Sequence, residues 1–126
     1  MIIYDATLRE GCQKTGIAFS MKDKVRIIKR LVSDLNIPMI EAGWPGSNPK
    51  DIQLFQKLNE LDLNGTKIFP FSSTRRKHTP VEKDQSIKAL LDTGTKQATI
   101  FGKSWDLHVE EALETTLEEN LQMIHD

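Results

Sequence analysis

At 126 residues the chain has the length of one domain, and 38% hydrophobic residues are enough to bury a core. Lysines and arginines number 17 against 18 acidic residues, and a net charge of -1 excludes a strong electrostatic footprint for nucleic acid or an anionic membrane, leaving small molecules and protein as expected partners. No apolar stretch approaches the roughly 20 residues of a membrane span, the lone Cys12 has no internal disulfide partner, and Asp5, Arg9 and Glu10 interrupt any signal-peptide pattern, so a cytoplasmic protein is expected.

In chain order, the apolar run Met1 to Tyr4 predicts a first strand. "SMKD" follows, with Ser20 and Asp23 as a capping box before Val25, Ile28, Leu31, Val32 and Leu35 at helical spacing. "PMIEAGWPG" predicts a second strand and its loop. Asn48 then reads as a helix N-cap and Pro49 as the first helical residue, with Ile52, Phe55, Leu58 and Leu61 on one face. "KIFPF" predicts a third strand. Thr79, Pro80 and Glu82 read as the cap of a third helix carrying Ile87, Leu90 and Leu91, with Gly94 closing it. "QATIFG" predicts a fourth strand, and Val109, Ala112, Leu113, Thr116, Leu117, Leu121 and Ile124 a single long helix.

Four βα units in succession imply an α/β protein with a parallel sheet. An open doubly wound sheet and half of a (β/α)8 barrel both fit that rhythm. The repeat of about 30 residues matches the roughly 31 per unit of a ~250-residue barrel, and every strand feeds a polar loop at its C-terminal end. No G-x-G-x-x-G follows the first strand, which removes the commonest dinucleotide-binding reading. Residues 1–126 are therefore expected to be βα units 1–4, the N-terminal half of a TIM barrel.

The strand ends carry the chemistry. In "YDATLREGCQ" an arginine and a carboxylate are adjacent, and on a continuing strand Arg9 and Glu10 would point to opposite faces. Both reach one mouth only if the strand has ended, and Gly11 is suited to make that break. A plain surface salt bridge is the alternative. Glu41 follows "PMI" in a predicted buried strand, where a carboxylate is expensive unless paired, and Arg9 is an available partner.

"DATLREGCQ" resembles the first-strand signature of the pyruvate carboxyltransferase group, the metal-dependent acyl-transfer barrels that include 2-isopropylmalate, homocitrate and citramalate synthases. The likeness covers the whole chain, and "EAGWPGSNPKD", "STRR" and "TIFGKSWDLHVEEALETTLEEN" most resemble the citramalate synthase branch. Most of the group has aspartate after the arginine, whereas Glu10 stands here, as in homocitrate synthases. The resemblance implies a longer parent enzyme that condenses acetyl-CoA with pyruvate to give (R)-citramalate and CoA, in isoleucine-type branched-chain precursor synthesis. Homocitrate and 2-isopropylmalate synthases are the alternatives, as is a catalytically silent chain that only folds or associates.

The same resemblance assigns Arg9 to oxyanion stabilisation, Glu10 to a divalent metal (Mn, Mg or Zn) and Gln13 to a hydrogen bond with substrate or metal-bound water, while Glu41 at the same mouth is expected at the substrate, with a satisfied structural ion pair as the alternative. For Gln13 a solvated loop amide remains equally open. Thr74 and Arg75 could meet the acyl-CoA, since guanidinium suits phosphate, although Arg75, Arg76 and Lys77 also read as a solvated charge run. Lys103 and Ser104 end the fourth strand in the same way. Trp44 and Trp105 read as packing residues, and Cys12 has no histidine near it in sequence to make it a nucleophile. The family's H-x-H metal pair is missing, because His78, His108 and His125 are not so spaced. The chain by itself is therefore expected to be inactive, and its two outer strands to favour a homo-oligomer.

Overall fold

The computed structural model describes residues 1–126. Strand β1 (Tyr4–Asp5) leads through a helical turn α1 (Thr7–Glu10) and a 3-10 turn (Gly11–Gln13) to helix α2 (Met21–Leu35). Then come β2 (Met39–Gly43), α3 (Lys50–Asn59), β3 (Lys67–Ser73), a 3-10 turn (Val81–Lys83), α4 (Gln85–Leu91) and β4 (Thr99–Phe101). A wide π-type turn (His108–Ala112) and α5 (Leu117–His125) complete the chain.

The four strands are all parallel and lie in the order β1-β2-β3-β4. A doubly wound sheet reverses direction partway, whereas here each crossover steps one strand onward, so every crossover falls on the same face. Ile40 and Ala42 of β2 and Ile68 of β3 turn to that face and meet Ile28 and Val32 of α2 and Leu54, Phe55 and Leu58 of α3 in one core. Residues of the other parity, Glu41 and Phe69 in register across β2 and β3, look the opposite way. The sheet curls about that second face, since the Tyr4 hydroxyl on β1 touches the Thr99 hydroxyl on β4. The result is a curled half-barrel, the first half of a TIM barrel.

Local chemistry accounts for the helix starts, with some departures from expectation. Ser20 and Asp23 form the capping box: Asp23 N donates to Ser20 Oγ and Ser20 N donates to the Asp23 carboxylate, both at 3.2 Å. Helix α3 begins one residue late, with Pro49 at the cap and the Asn48 side chain accepting from Lys50 N at 3.3 Å. Helix α4 is capped by Asp84 rather than Thr79. The Asp84 carboxylate takes hydrogen bonds from Ser86 N and Ile87 N as well as Arg76 N, and a charged acceptor with three donors outcompetes a hydroxyl. The C-cap of α4 is Asp92, and Gly94, with φ of +69°, follows two residues later, its N donating to Leu91 O.

The single long helix expected over Val109 to Ile124 is two pieces. Glu114 adopts φ of 50° and the Thr116 hydroxyl accepts from Glu119 N to start α5 afresh. Threonines that bond locally to backbone offer the chain an alternative to continuing a helix, and an apolar periodicity does not register that choice. Beyond the strands, Ile100, Leu117, Leu121 and Ile124 remain exposed along β4 and α5, as do Met1, Ile2 and Ile3 at β1.

Candidate functional site

The strand in the opening motif is shorter than its apolar run suggested. It ends at Asp5, and the turn Thr7–Glu10 is helical, with Leu8 fully buried in the core as its anchor. Helical turning brings Arg9 and Glu10 to the same mouth. Gly11 does not make the break: its φ of -62° and ψ of -26° are ordinary helical values that any residue adopts.

Arg9 is held on several sides. Its Nε donates to Glu41 Oε1 at 2.5 Å, its Nη1 pairs with the Glu10 carboxylate, and its guanidinium lies 4.3 Å from the Phe71 ring centroid. The side-chain exposures run from 1% for Glu41 through 19% for Arg9 to 60% for Glu10, a gradient from the sheet to solvent. Glu41 also accepts from the Tyr4 hydroxyl at 2.8 Å, so both its oxygens are bonded. Partial burial, opposed by the Thr99 hydroxyl and reinforced by the neighbouring Glu41 carboxylate, pushes the Tyr4 phenol up to about 12. Tyr4 therefore remains a donor at neutral pH. The guanidinium is thus anchored beneath and on one face, with an edge at the mouth, a geometry that a hydrogen-bond acceptor could meet from solvent.

Glu10 fits as one ligand of a divalent cation, being an exposed carboxylate at the mouth. No group of three or more His, Cys, Asp or Glu side chains suited to a metal forms in these 126 residues. The remaining ligands of such a centre would have to come from outside them.

The other expected site residues separate into two places. Gln13 lines a cavity of about 380 Å³ with Arg9, Trp44, Asn48, Lys24 and Asp51, between the ends of β1 and β2. Thr74, Lys103 and Ser104 line a different groove of about 980 Å³ between β4 and α5. Lys103 Nζ sits 4.9 Å from the Phe101 ring centroid, and its carbonyl accepts from Asn120 Nδ2.

Arg75 belongs to neither reading made for it. It is buried, donating to Glu119 at 2.8 Å and Asp126 at 2.6 Å, and so clamps α5 to the end of β3 instead of offering a free cation to phosphate or to solvent. The bonds from Arg75 hold the Glu119 and Asp126 carboxyls below the ordinary carboxylate values. At Asp84 burial opposes ionisation, but its three backbone donors prevail and the carboxyl lies below its ordinary 3.8. A lowered carboxyl contributes stability that is complete above its unfolded value and lost as pH falls through the folded one. The melting temperature is therefore expected to fall steeply below about pH 4, and less steeply in Glu119→Gln, as read by thermal denaturation across a pH series.

Lys24 and Asp51 were not singled out from sequence, yet they form a buried ion pair at 2.8 Å beside the first cavity. The signal was available: Lys24 shares the stripe of Ile28 and Val32, and Asp51 that of Leu54, Phe55 and Leu58, and a charge on a buried stripe needs a partner. Phe71, the ring against Arg9, carries no such mark, because an aromatic in a strand is ordinary.

The profile of the HMGL-like family matches residues 1–126. The chain belongs to the HMGL-like family. Among curated HMGL-like relatives, it is 55% identical to an (R)-citramalate synthase of Synechocystis sp. over 98% of this chain and 22% of that protein. It is 50% identical to an (R)-citramalate synthase of Aquifex aeolicus over 98% of this chain and 23% of that protein. A 2-isopropylmalate synthase of Sulfolobus acidocaldarius is 32% identical over 98% of this chain and 30% of that protein. The chain thus spans less than a third of the length of these relatives.

Proposed function

We propose that this chain supplies the first half of the barrel of a full-length enzyme that condenses acetyl-CoA with pyruvate to (R)-citramalate and CoA. The observation that carries the reading is Arg9, anchored by Glu41 and Phe71 with an edge at the mouth, in a chain far nearer to citramalate synthases (41% to 55% identical) than to the 2-isopropylmalate synthase at 32%. The acetyl methyl carbon gives up a proton to a base and bonds to the keto carbon, the carbonyl electron pair moves onto oxygen and takes up a proton, and water then cleaves the thioester to release CoA. Arg9 donates hydrogen bonds to that oxygen, Glu41 keeps the guanidinium oriented, and Gln13 contacts the substrate from the adjoining cavity wall. A divalent ion, when bound with Glu10 as one ligand, supplies Lewis-acid polarisation of the same carbonyl. The role of such an enzyme is branched-chain precursor synthesis of the isoleucine type, in the cytoplasm, where a lone unpaired Cys12 is at home.

The keto acid is tested by thiol release from acetyl-CoA in the full-length protein. Pyruvate is expected to react far faster than 2-oxoglutarate, whose extra carboxylate needs a further cation. Faster release with 2-oxoglutarate would move the protein to homocitrate synthesis, the reading that Glu10 favours.

The 126-residue chain purified alone is expected to form no measurable citramalate and to bind Mn²⁺ at millimolar or weaker affinity, because one carboxylate is its only contribution to the metal. With β1 and β4 each unpaired on one side and apolar residues exposed along both, it is expected to run as a dimer or larger. Micromolar Mn²⁺ affinity by calorimetry, together with product, would overturn this reading.

A further inference from the structure

The loop after β2 is fastened with unusual means. Asp51 Oδ2 accepts from Trp44 N at 3.0 Å, while Asp51 Oδ1 accepts from Lys24 Nζ at 2.8 Å and Asn48 Nδ2 at 3.3 Å. The approach is so close that a Cβ on Gly43 would lie 2.3 Å from Asp51 Oδ2. A buried ion pair is a poor source of net stability, since desolvation of both charges offsets their attraction, but it fixes position strongly. What it fixes here is the backbone of Trp44, through its N–H, and with it the point from which the indole departs. The indole packs nearly perpendicular to Phe71, with centroids 5.1 Å apart at 77°, and Phe71 in turn carries the Arg9 guanidinium at 4.3 Å.

We propose that Trp44 is a positioning residue for Arg9: held by the Lys24–Asp51 pair, it keeps the Phe71 ring turned so that its face, not its edge, meets the guanidinium. A ring face is electron-rich and attracts a cation, whereas the edge repels it. Glu41 holds Arg9 through Nε and the exposed Glu10 holds it through Nη1, and the ring face adds the contact that sets the tilt of the guanidinium plane. With Trp44 removed, Phe71 gains rotamer freedom and the Arg9 edge at the mouth loses its fixed direction. The inference rests on the reading of Arg9 as the donor to the developing oxyanion.

The test is a double-mutant cycle in the full-length protein, with kcat and KM measured by thiol release from acetyl-CoA. Trp44→Leu is expected to lower kcat about 10-fold with KM little changed, the scale of a modest misplacement of a catalytic group, and Trp44→Phe to recover most of the loss. In an Arg9→Ala background Trp44→Leu is expected to change kcat no further, because there is no guanidinium left to place. The same factor in both backgrounds, or no loss from Trp44→Leu alone, overturns the inference and leaves the role of Arg9 standing. Near-normal turnover in Arg9→Ala alone overturns both. Should Trp44→Leu fail to fold, as judged by circular dichroism, Phe71→Leu takes its place with the same coupling to Arg9 expected and the same results overturning it.

Discussion

Replacing Arg9 by alanine in the full-length protein is expected to lower turnover by on the order of 10² to 10³ with the fold intact, the usual scale for removing one oxyanion donor. The truncation leaves the buried Glu41 carboxylate with Tyr4 as its one remaining donor, so some stability is lost as well, but the loss of turnover should be catalytic because the fold stays closed. Arg9 is part-exposed, and its contacts run to Glu41, to Glu10 and to the face of Phe71, none of which ties one helix to another. The core beneath is closed by Leu8, Ile40 and Phe55, which the truncation leaves in place. An unchanged circular dichroism spectrum with turnover down by that factor is the expected pair of results. Turnover within a few-fold of the unsubstituted protein would mean that Arg9 does not touch the developing charge.

The second large effect is expected at Glu41. Its carboxylate is buried and binds both Arg9 and Tyr4, so Glu41→Leu leaves a part-buried guanidinium and a phenol without their acceptor. Breaking a fully buried pair costs about 3–5 kcal/mol, and because Arg9 retains some solvent a loss of about 1–3 kcal/mol is expected. Turnover should fall with it, since the donor edge of Arg9 is no longer held. Adding Arg9→Met to Glu41→Leu removes the stranded cation and should restore much of the melting temperature while leaving turnover at the Arg9→Ala level. Recovery of both together would show that turnover does not need the Arg9 guanidinium, and recovery of neither that the Glu41 carboxylate supports more than Arg9.

Much of this was open to reading along the chain. The alternation of apolar runs with helical stripes depends on local side-chain spacing, so the four βα units and the Ser20 capping box follow from the residues alone. A barrel-like curl and not a doubly wound sheet depends on which strand lies beside which. That is a matter of long-range pairing, decided in the register of Tyr4 with Met39, Ile40 with Ile68 and Phe71 with Thr99. Glu41 could be suspected of needing a partner because burial of a lone charge is expensive at any position.

What lay beyond a linear reading was decided where several side chains compete for one group in space. The Arg9 motif reads as a strand end broken at Gly11, but the chain has already turned helical at Thr7 with Leu8 anchored in the core, which makes Gly11 incidental. Asp84 displaces Thr79 as a cap because the Ser86, Ile87 and Arg76 amides converge on its carboxylate. Arg75 reads as a surface cation until α5 brings Glu119 and Asp126 against it. The sequence records the charge of each such residue but not its distance to a partner dozens of positions away. That distance separates Arg9, whose edge stays at the mouth, from Arg75, whose donors are taken up within the fold.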